Sequence, residues 1–289
     1  MSATPSDDIT STRRHRRQLQ RARQREEPAR VRSLRQRYAQ RLRGAWVGIR
    51  AALRRGLVEH DALGIESLAS TPTRDQFDFD TDARRADAFA KWLDTQIEQD
   101  ILTRFGDENQ FISAAYERGV TDAQAELHAL DLSQGRAGAT ALRLPVHREQ
   151  LQSLFARNLN ELEGMTDAVA TDLRRELTEG LASGESPRDI ADGLTDIIGR
   201  VEDGTPRGAM NRATMIARTE IMNSHDRARL REWERAGVER VGVLIAGDAC
   251  PQCQAYKAGE PYRASNAYGN LPRHPNCRCS HHVWTGDAS

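Results

Sequence analysis

The feature that most constrains this chain is a cluster of sulfur and imidazole side chains near its end. All four cysteines lie within the last 40 residues, with His274 among them. In Cys250-Pro-Gln-Cys253, two intervening residues allow both thiolates to meet one metal ion, and His274 repeats that gap with Cys277. The spacing favours a metal site over two disulfides or four unliganded thiols.

Five residues compete for the four positions of a tetrahedral site. Cys250, Cys253 and Cys277 are the expected ligands, with either Cys279 or His274 as the fourth. Four protein ligands leave no open coordination position, which is typical of structural zinc. The expected cofactor is therefore Zn²⁺ in a structural role.

Catalytic uses of the same residues fit the sequence less well. Zinc deaminases place a proline before their Cys-x-x-Cys pair, whereas Pro251 lies inside the pair here. His274 and Cys277 could form a nucleophile pair, but their side chains are more useful to a metal. A Gly-rich phosphate loop and a His-Glu-x-x-His sequence are both missing. We expect no enzymatic activity.

The charge of the chain is polarised, although its formal net charge is zero. Residues 1–60 carry sixteen arginines against five acidic residues, so the remainder is net negative. Arginines on phosphates release counterions and give salt-sensitive affinity for nucleic acid, although an acidic protein surface would serve equally well as partner. The candidate DNA-binding or partner-binding residues are Arg13, Arg14, Arg16, Arg17, Arg21, Arg23 and Arg25.

Hydrophobic periodicity predicts a mainly α-helical fold with a small C-terminal α+β module stapled by zinc. Residues 1–28 are predicted to be a flexible, basic arm, and residues 29–63 a basic amphipathic helix. Residues 64–145 are predicted to be helical with linkers, one of them at 64–85, and residues 146–289 a further domain. The zinc module is expected at about 238–284, after a helix that ends at Gly237.

No apolar run is long enough for a membrane span, and the first residues lack the apolar core of a signal peptide. A cytoplasmic protein without membrane contact is expected, in which thiols stay reduced.

A dense polar group lies on the helix before Gly237 and includes Arg218 and Glu220. One interpretation is a solvated helix face with internal ion pairs. The other is that both side chains hydrogen-bond loops of the zinc module and hold it on the helical body.

The last 110 or so residues resemble the Mu F-like head morphogenesis (minor head protein) family of tailed viruses. The segments that carry the resemblance are Leu181-Ala-Ser-Gly184-Glu-Ser186, Ala217-Arg-Thr-Glu220, Gly237, Asp248-Ala-Cys250-Pro-Gln-Cys253, Gly259 with Tyr262, and His274-Pro-Asn-Cys277-Arg-Cys279.

The resemblance implies a minor capsid protein that lies inside the head near the portal vertex and assists assembly, genome packaging or genome delivery. It implies the portal and major capsid proteins as partners, packaged DNA as a possible contact of the arm, and the host cytoplasm as the place of assembly. The alternative is a zinc-containing DNA-binding protein that is not tied to the portal.

Overall fold

The computed structural model describes residues 28–59, 79–132, 143–199, 201–202, 205–206 and 208–286. Within these ranges the chain is mainly helical, with a small antiparallel sheet near its C-terminal end, as predicted. The predicted arm and its seven candidate arginines lie outside the described residues, apart from Pro28.

Two π-helical turns, Arg55–Glu59 and Glu98–Leu102, continue the first and second α-helices. The α-helices of the described ranges are α1 (Arg32–Arg54), α2 (Phe79–Ile97), α3 (Thr103–Phe105), α4 (Gln110–Ala129), α5 (Pro145–Ser183), α6 (Pro187–Gly199), α7 (Ala209–Arg235) and α8 (Pro251–Ala258).

The strands are short and antiparallel. They are β1 (Val201–Glu202), β2 (Thr205–Pro206), β3 (Arg240–Leu244), β4 (Tyr262–Arg263) and β5 (Ser280–Val283). β1 pairs with β2, and β3 lies between β4 and β5 in a three-stranded sheet. Val241 of β3 is opposite Tyr262 on one side and Val283 on the other.

Contacts along the chain divide it into two compact units. Unit 1 comprises residues 1–38, 108–155 and 217–289, and unit 2 comprises residues 39–107 and 156–216. The cysteines and the three-stranded sheet therefore belong to unit 1.

The predicted amphipathic helix is present as α1 and its π-helical extension. Its apolar stripe is buried, with Leu42, Trp46 and Ile49 fully enclosed and Leu53 2% exposed. Arginines occupy half of the exposed positions of α1, because a spacing of three and four residues keeps apolar and charged side chains on separate faces.

α6 starts at a serine cap followed by proline. The Asp189 N–H donates to Ser186 Oγ at 3.2 Å, and the Ser186 hydroxyl donates to Asp189 Oδ2 at 2.7 Å. Pro187 occupies the first helical turn, where the backbone needs no donor. The reciprocal bonds fix the residue at which α6 begins.

One local prediction was wrong, and one element was not predicted. α2 begins at Phe79, inside the segment predicted to be a linker, and β1 and β2 form a hairpin in a region for which no strands were predicted. In both places the sequence is rich in Asp, Gly, Thr or Pro, which made local propensity a poor guide.

Unit 1 is organised by the close approach of α4 and α7. A Cβ at Gly119 would lie 2.3 Å from the His225 carbonyl oxygen, so only glycine fits there. Leu230 and Trp233 of α7 pack with Val241 and Val283 of the sheet in one apolar cluster. This packing fixes α7 against the strands that lead to the cysteines.

Candidate metal centre

The residues around the cysteines, 238–284, are called the cysteine module below. Its first two candidate ligands lie at the start of α8. Cys250 is the N-cap residue, Pro251 occupies the first turn, and Cys253 follows one turn later. Residues three apart on a helix lie on the same face, so the two sulfurs converge. Cys253 is buried and Cys250 is partly exposed.

The remaining candidates lie in a tight turn that leads into β5. The Cys277 N–H donates to the His274 carbonyl at 3.1 Å, and Asn276 between them has a positive φ of 65°. Cys277 and Cys279 are both buried, and Cys279 directly precedes β5. The sheet therefore holds one arm of the site and α8 the other.

The ligand atoms of the five residues lie close enough together to hold a metal ion. His274 Nε2 is 3.2 Å from Cys250 Sγ and 3.3 Å from Cys253 Sγ, and Cys253 Sγ is 3.6 Å from Cys277 Sγ. A tetrahedral zinc ion with bonds of about 2.3 Å to sulfur and 2.0 Å to nitrogen would separate its ligands by roughly 3.5–3.8 Å. The separation of Cys253 and Cys277 falls in this range, and the two separations from His274 are about 0.2–0.3 Å shorter.

The five atoms form two overlapping groups. Cys250, Cys253 and His274 make one group, and Cys253 makes the other with Cys277 and Cys279. Cys253 therefore occupies the centre of the arrangement. All four cysteines are free in the structure, so the disulfide alternative does not hold.

The imidazole of His274 is oriented for coordination through Nε2. Its Nδ1 lies 2.8 Å from the Pro275 carbonyl oxygen, which can only accept a hydrogen bond. Nδ1 must then carry the proton, and the lone pair on Nε2 faces Cys250 and Cys253. An outer hydrogen bond of this kind sets the tautomer of many metal-binding histidines.

The electrostatics divide the four thiols into two kinds. Backbone N–H groups of Cys253 and Gln252 lower the pKa of Cys250, and a hydrogen bond from Cys279 lowers the pKa of Cys277 to about 5. Burial raises the pKa of Cys253 to about 12, and the same bond to Cys277 raises the pKa of Cys279. Each arm thus contains one thiol whose pKa is shifted toward the thiolate, the form that binds a cation.

A series of buried hydrogen bonds connects the two arms of the site to α7. Tyr256 lies one turn after Cys253, and its hydroxyl is 3.0 Å from His281 Nε2. His281 Nδ1 donates to the Asp226 carboxylate of α7 at 2.8 Å. Burial alone would raise the pKa of Asp226, but His281 lowers it below its usual range. These hydrogen bonds connect α8 and β5, which carry or adjoin the candidate ligands, to α7.

Carboxylates also accept hydrogen bonds from the backbone N–H groups on the outer edge of β5. The backbone N–H of His281 donates to Asp226 Oδ1 at 3.3 Å, and that of Val283 donates to Glu126 Oε1 at 2.9 Å. Arg229 holds the other oxygen of Glu126 at 2.8 Å. Helix side chains thus replace the strand that would otherwise pair with this edge.

The two residues of the predicted polar cluster have different surroundings. Arg218 is exposed and donates to Asn276 Oδ1 at 3.3 Å, in the turn between His274 and Cys277. Glu220 is buried, and its side chain accepts a bond from Asn223 at 3.5 Å within α7. A contact between Glu220 and the loops of the cysteine module stays a prediction.

Sequence reasoning missed Asp226, His281 and Tyr256. α7 is strongly polar, so its pattern did not distinguish a buried carboxylate from a solvated one. The one available signal was the position of His281 two residues after Cys279, where strand alternation places both on the same face.

One His-x-Glu sequence, the motif of zinc deaminases, occurs at His147-Arg148-Glu149. His147 is fully buried between the Tyr116 hydroxyl at 2.8 Å and Glu232 Oε1 at 2.7 Å. It belongs to neither of the two candidate ligand groups of the described residues. The deaminase arrangement is therefore not formed at these cysteines.

None of the helices in the described ranges has the length and apolar character needed to cross a membrane. In comparisons with known proteins, no family model, curated protein or solved structure matches this chain.

Proposed function

We propose that the cysteine module binds one structural Zn²⁺ ion. The sulfur and imidazole donors match the preference of zinc, and one observation carries the proposal: three of their separations fall between 3.2 and 3.6 Å. Cys250, Cys253 and Cys277 are the expected fixed ligands. The short distances from His274 Nε2 to two sulfurs favour His274 as the fourth ligand over Cys279.

A zinc ion with four protein ligands would act on folding and not on a substrate, because it has no open position for water. The cysteine module has few residues and short strands, and it would gain stability directly from the metal. A non-catalytic role follows from this ligand set.

The biological role that we propose is that of a minor capsid, or head morphogenesis, protein of a tailed virus. It would dock near the portal inside the head and assist assembly, genome packaging or genome delivery. The support is the resemblance described above, together with the contacts that those of the resembling segments within residues 217–289 make in unit 1.

Two of those segments contact each other, and a third, Gly259 with Tyr262, is held by its own internal contact. Arg218, of Ala217-Arg-Thr-Glu220, bonds Asn276 in the turn of the last segment. The Tyr262 hydroxyl donates to the Tyr256 carbonyl at 2.6 Å, and a Cβ at Gly259 would lie 2.4 Å from that hydroxyl. Gly259 and Tyr262 therefore form a pair in which the glycine makes room for the phenol.

The metal is tested by measuring zinc in the purified full-length chain by mass spectrometry and by recording the absorption spectrum after Co²⁺ substitution. We expect one ion per chain and a tetrahedral cobalt spectrum with intense sulfur-to-metal bands. A chain purified under reducing conditions without bound metal, and unable to take up Zn²⁺ or Co²⁺, would refute the site.

The fourth ligand is decided by comparing His274→Ala with Cys279→Ser. If His274 is the ligand, His274→Ala weakens metal binding and Cys279→Ser leaves the intensity of the sulfur bands unchanged. A loss of band intensity in Cys279→Ser alone would assign the fourth position to Cys279.

The role in assembly is tested by coexpression with the portal and major capsid proteins of the same genome. We expect the metal-loaded chain to sediment with assembled heads and to copurify with the portal protein. Cys277→Ser should be absent from the heads. A metal-loaded wild-type chain that is absent from heads would refute the viral role and leave the metal site standing.

A further inference from the structure

Four exposed arginines line the outer side of α1 and its π-helical extension, and they are called the arginine face below. They are Arg41, Arg43, Arg50 and Arg55. All four belong to unit 2, and the apolar stripe on the other side of the same helix is buried. The arginine face is therefore the side that remains available to a partner.

The burial of the apolar stripe decides between two kinds of partner. Basic helices that dock on proteins generally use apolar anchors as well as charge. Here Leu42, Trp46 and Ile49 are used inside this chain. A partner of the arginine face must therefore be held mainly by charge.

The middle of the arginine face is smooth. A Cβ added at Gly44 or Gly48 would have no atom within 4 Å, and Val47 between them is 44% exposed. Arg43 and Arg50 lie to one side of these residues and Arg41 to the other, as a rotation of about 100° per residue requires, and Arg55 follows in the π-helical extension. A continuous anionic backbone could approach this surface without steric obstruction.

The charge of the face is not neutralised within its helix. α1 contains no acidic residue and its π-helical extension contains one, Glu59, but within the described ranges none of the four arginines forms an ion pair. Four exposed arginines of other helical segments, by contrast, are paired with an acid three or four residues away. Those pairs are Arg104 with Asp100, Arg118 with Asp122, Arg157 with Glu161, and Arg175 with Asp172.

We infer that the arginine face binds the phosphate backbone of duplex DNA without reading its sequence. Guanidinium groups pair well with phosphate, and each phosphate that is neutralised releases condensed counterions. The face offers no arrangement of amide side chains for base edges, so contacts to the backbone alone are expected. This inference does not rest on the metal site.

The test measures anisotropy of a short fluorescein-labelled DNA duplex of random sequence, titrated with the full-length chain at salt concentrations from about 50 to 200 mM. One variant neutralises the arginine face, with Arg41→Gln, Arg43→Gln, Arg50→Gln and Arg55→Gln. The matched control removes the same charge from paired arginines, with Arg104→Gln, Arg118→Gln, Arg157→Gln and Arg175→Gln. Glutamine keeps helix propensity close to that of arginine.

We expect the affinity of the face variant at low salt to fall by at least about tenfold. The slope of log affinity against log salt should become less steep by about 3. The control should change affinity by less than about threefold, with the same circular dichroism. Arginines in residues 1–27 are common to all three chains, so the difference isolates the face. Equal losses in the two variants, or wild-type affinity in the face variant, would overturn the inference and favour an acidic protein partner.

Discussion

The two units of this protein bury different kinds of side chain. Among the described residues, fourteen buried polar or charged residues lie in unit 1 and two in unit 2. In unit 2 they are Asn158 and Thr166. In unit 1 they are Arg35, Asn109, Glu126, His147, Glu220, Asn223, Ser224, His225, Asp226, Arg229, Glu232, Ser280, His281 and His282.

The difference teaches that the two units depend on different forces. The core of unit 2 is apolar, and residues such as Leu173 and Leu177 on α5 are stabilised by removal from water. Unit 1 pairs buried acids with imidazoles and guanidinium groups, which stabilise the fold only while every partner is present. Unit 1 should therefore respond to metal and pH, and unit 2 should respond to neither.

The largest expected effect follows removal of the metal. Structural zinc contributes about 10–16 kcal/mol in zinc-finger peptides, so Cys277→Ser or a strong chelator should unfold the cysteine module. Hydrogen exchange should rise in residues 240–283 and stay unchanged in α6 of unit 2. Equal protection of residues 240–283 with and without metal would contradict the proposed dependence.

The next effect concerns the pair between Asp226 and His281, both of which are buried. Asp226→Ala leaves the His281 Nδ1–H and a strand N–H without an acceptor, and breaking a buried pair costs about 3–5 kcal/mol. Urea unfolding of the metal-loaded chain measures this change in the free energy of unfolding. Hydrogen exchange then shows whether the loss of stability lies in unit 1.

Leu173→Ala is the matched change in unit 2, where a buried leucine is lost at a cost of about 2–5 kcal/mol. Its effect should fall on unit 2 alone. A cost below about 1 kcal/mol for Asp226→Ala would mean that the buried pair adds little to unit 1.

A smaller effect is expected on mild acidification. Burial lowers the folded-state pKa of His225, whose Nε2 lies 3.1 Å from Asp122. A depressed imidazole pKa means that the unfolded chain binds the proton more readily, so stability is complete above about pH 6.5 and falls as the pH drops below that value. Urea unfolding at constant metal content between about pH 7 and 5 should show this loss.

The carboxylates of unit 1 extend the loss of folding stability to lower pH. The folded-state pKa of Asp122 and of Glu232 is lowered by hydrogen bonds to His225 and His147, against the effect of burial. Their contribution is present above about pH 4 and is lost as the pH falls through the folded values. His225→Gln should flatten the upper part of the curve and also reduce the contribution of Asp122 at lower pH, and Leu173→Ala should leave its shape unchanged. A flat wild-type profile would contradict the depressed pKa of His225.

The smallest effect concerns a surface pair of unit 2. Arg54 lies 2.5 Å from Asp192, and the two side chains are 47% and 56% exposed. Because solvent screens exposed charges, Asp192→Ala should cost at most about 1 kcal/mol, and less at high salt. Urea midpoints at low and high salt measure this, and a salt-independent cost of several kcal/mol would show that unit 2 also relies on charge pairs.

The sequence predicted those parts of the fold in which local pattern and tertiary environment agree. The stripe of α1, the cap of α6 at Ser186 and the end of α7 at Gly237, with its positive φ of 82°, could each be predicted from neighbouring residues. The start of α2 and the hairpin of β1 and β2 could not, because their local propensities are weak.

The candidate site divides in the same way. The five sulfur and imidazole ligands could be found from spacing, since a two-residue gap is a local geometric condition. The contact of Asp226 with His281 joins residues 55 positions apart, and no local rule selects that partner.

By itself, the sequence determined the helical body, the cluster of candidate ligands and the surplus of arginine at one end, because periodicity, spacing and charge are properties of neighbouring residues. Only the tertiary structure decided which polar side chains of α7 are buried and that Asp226 is the acceptor for His281. Both depend on elements far apart in the chain, and burial is a property of the packed molecule.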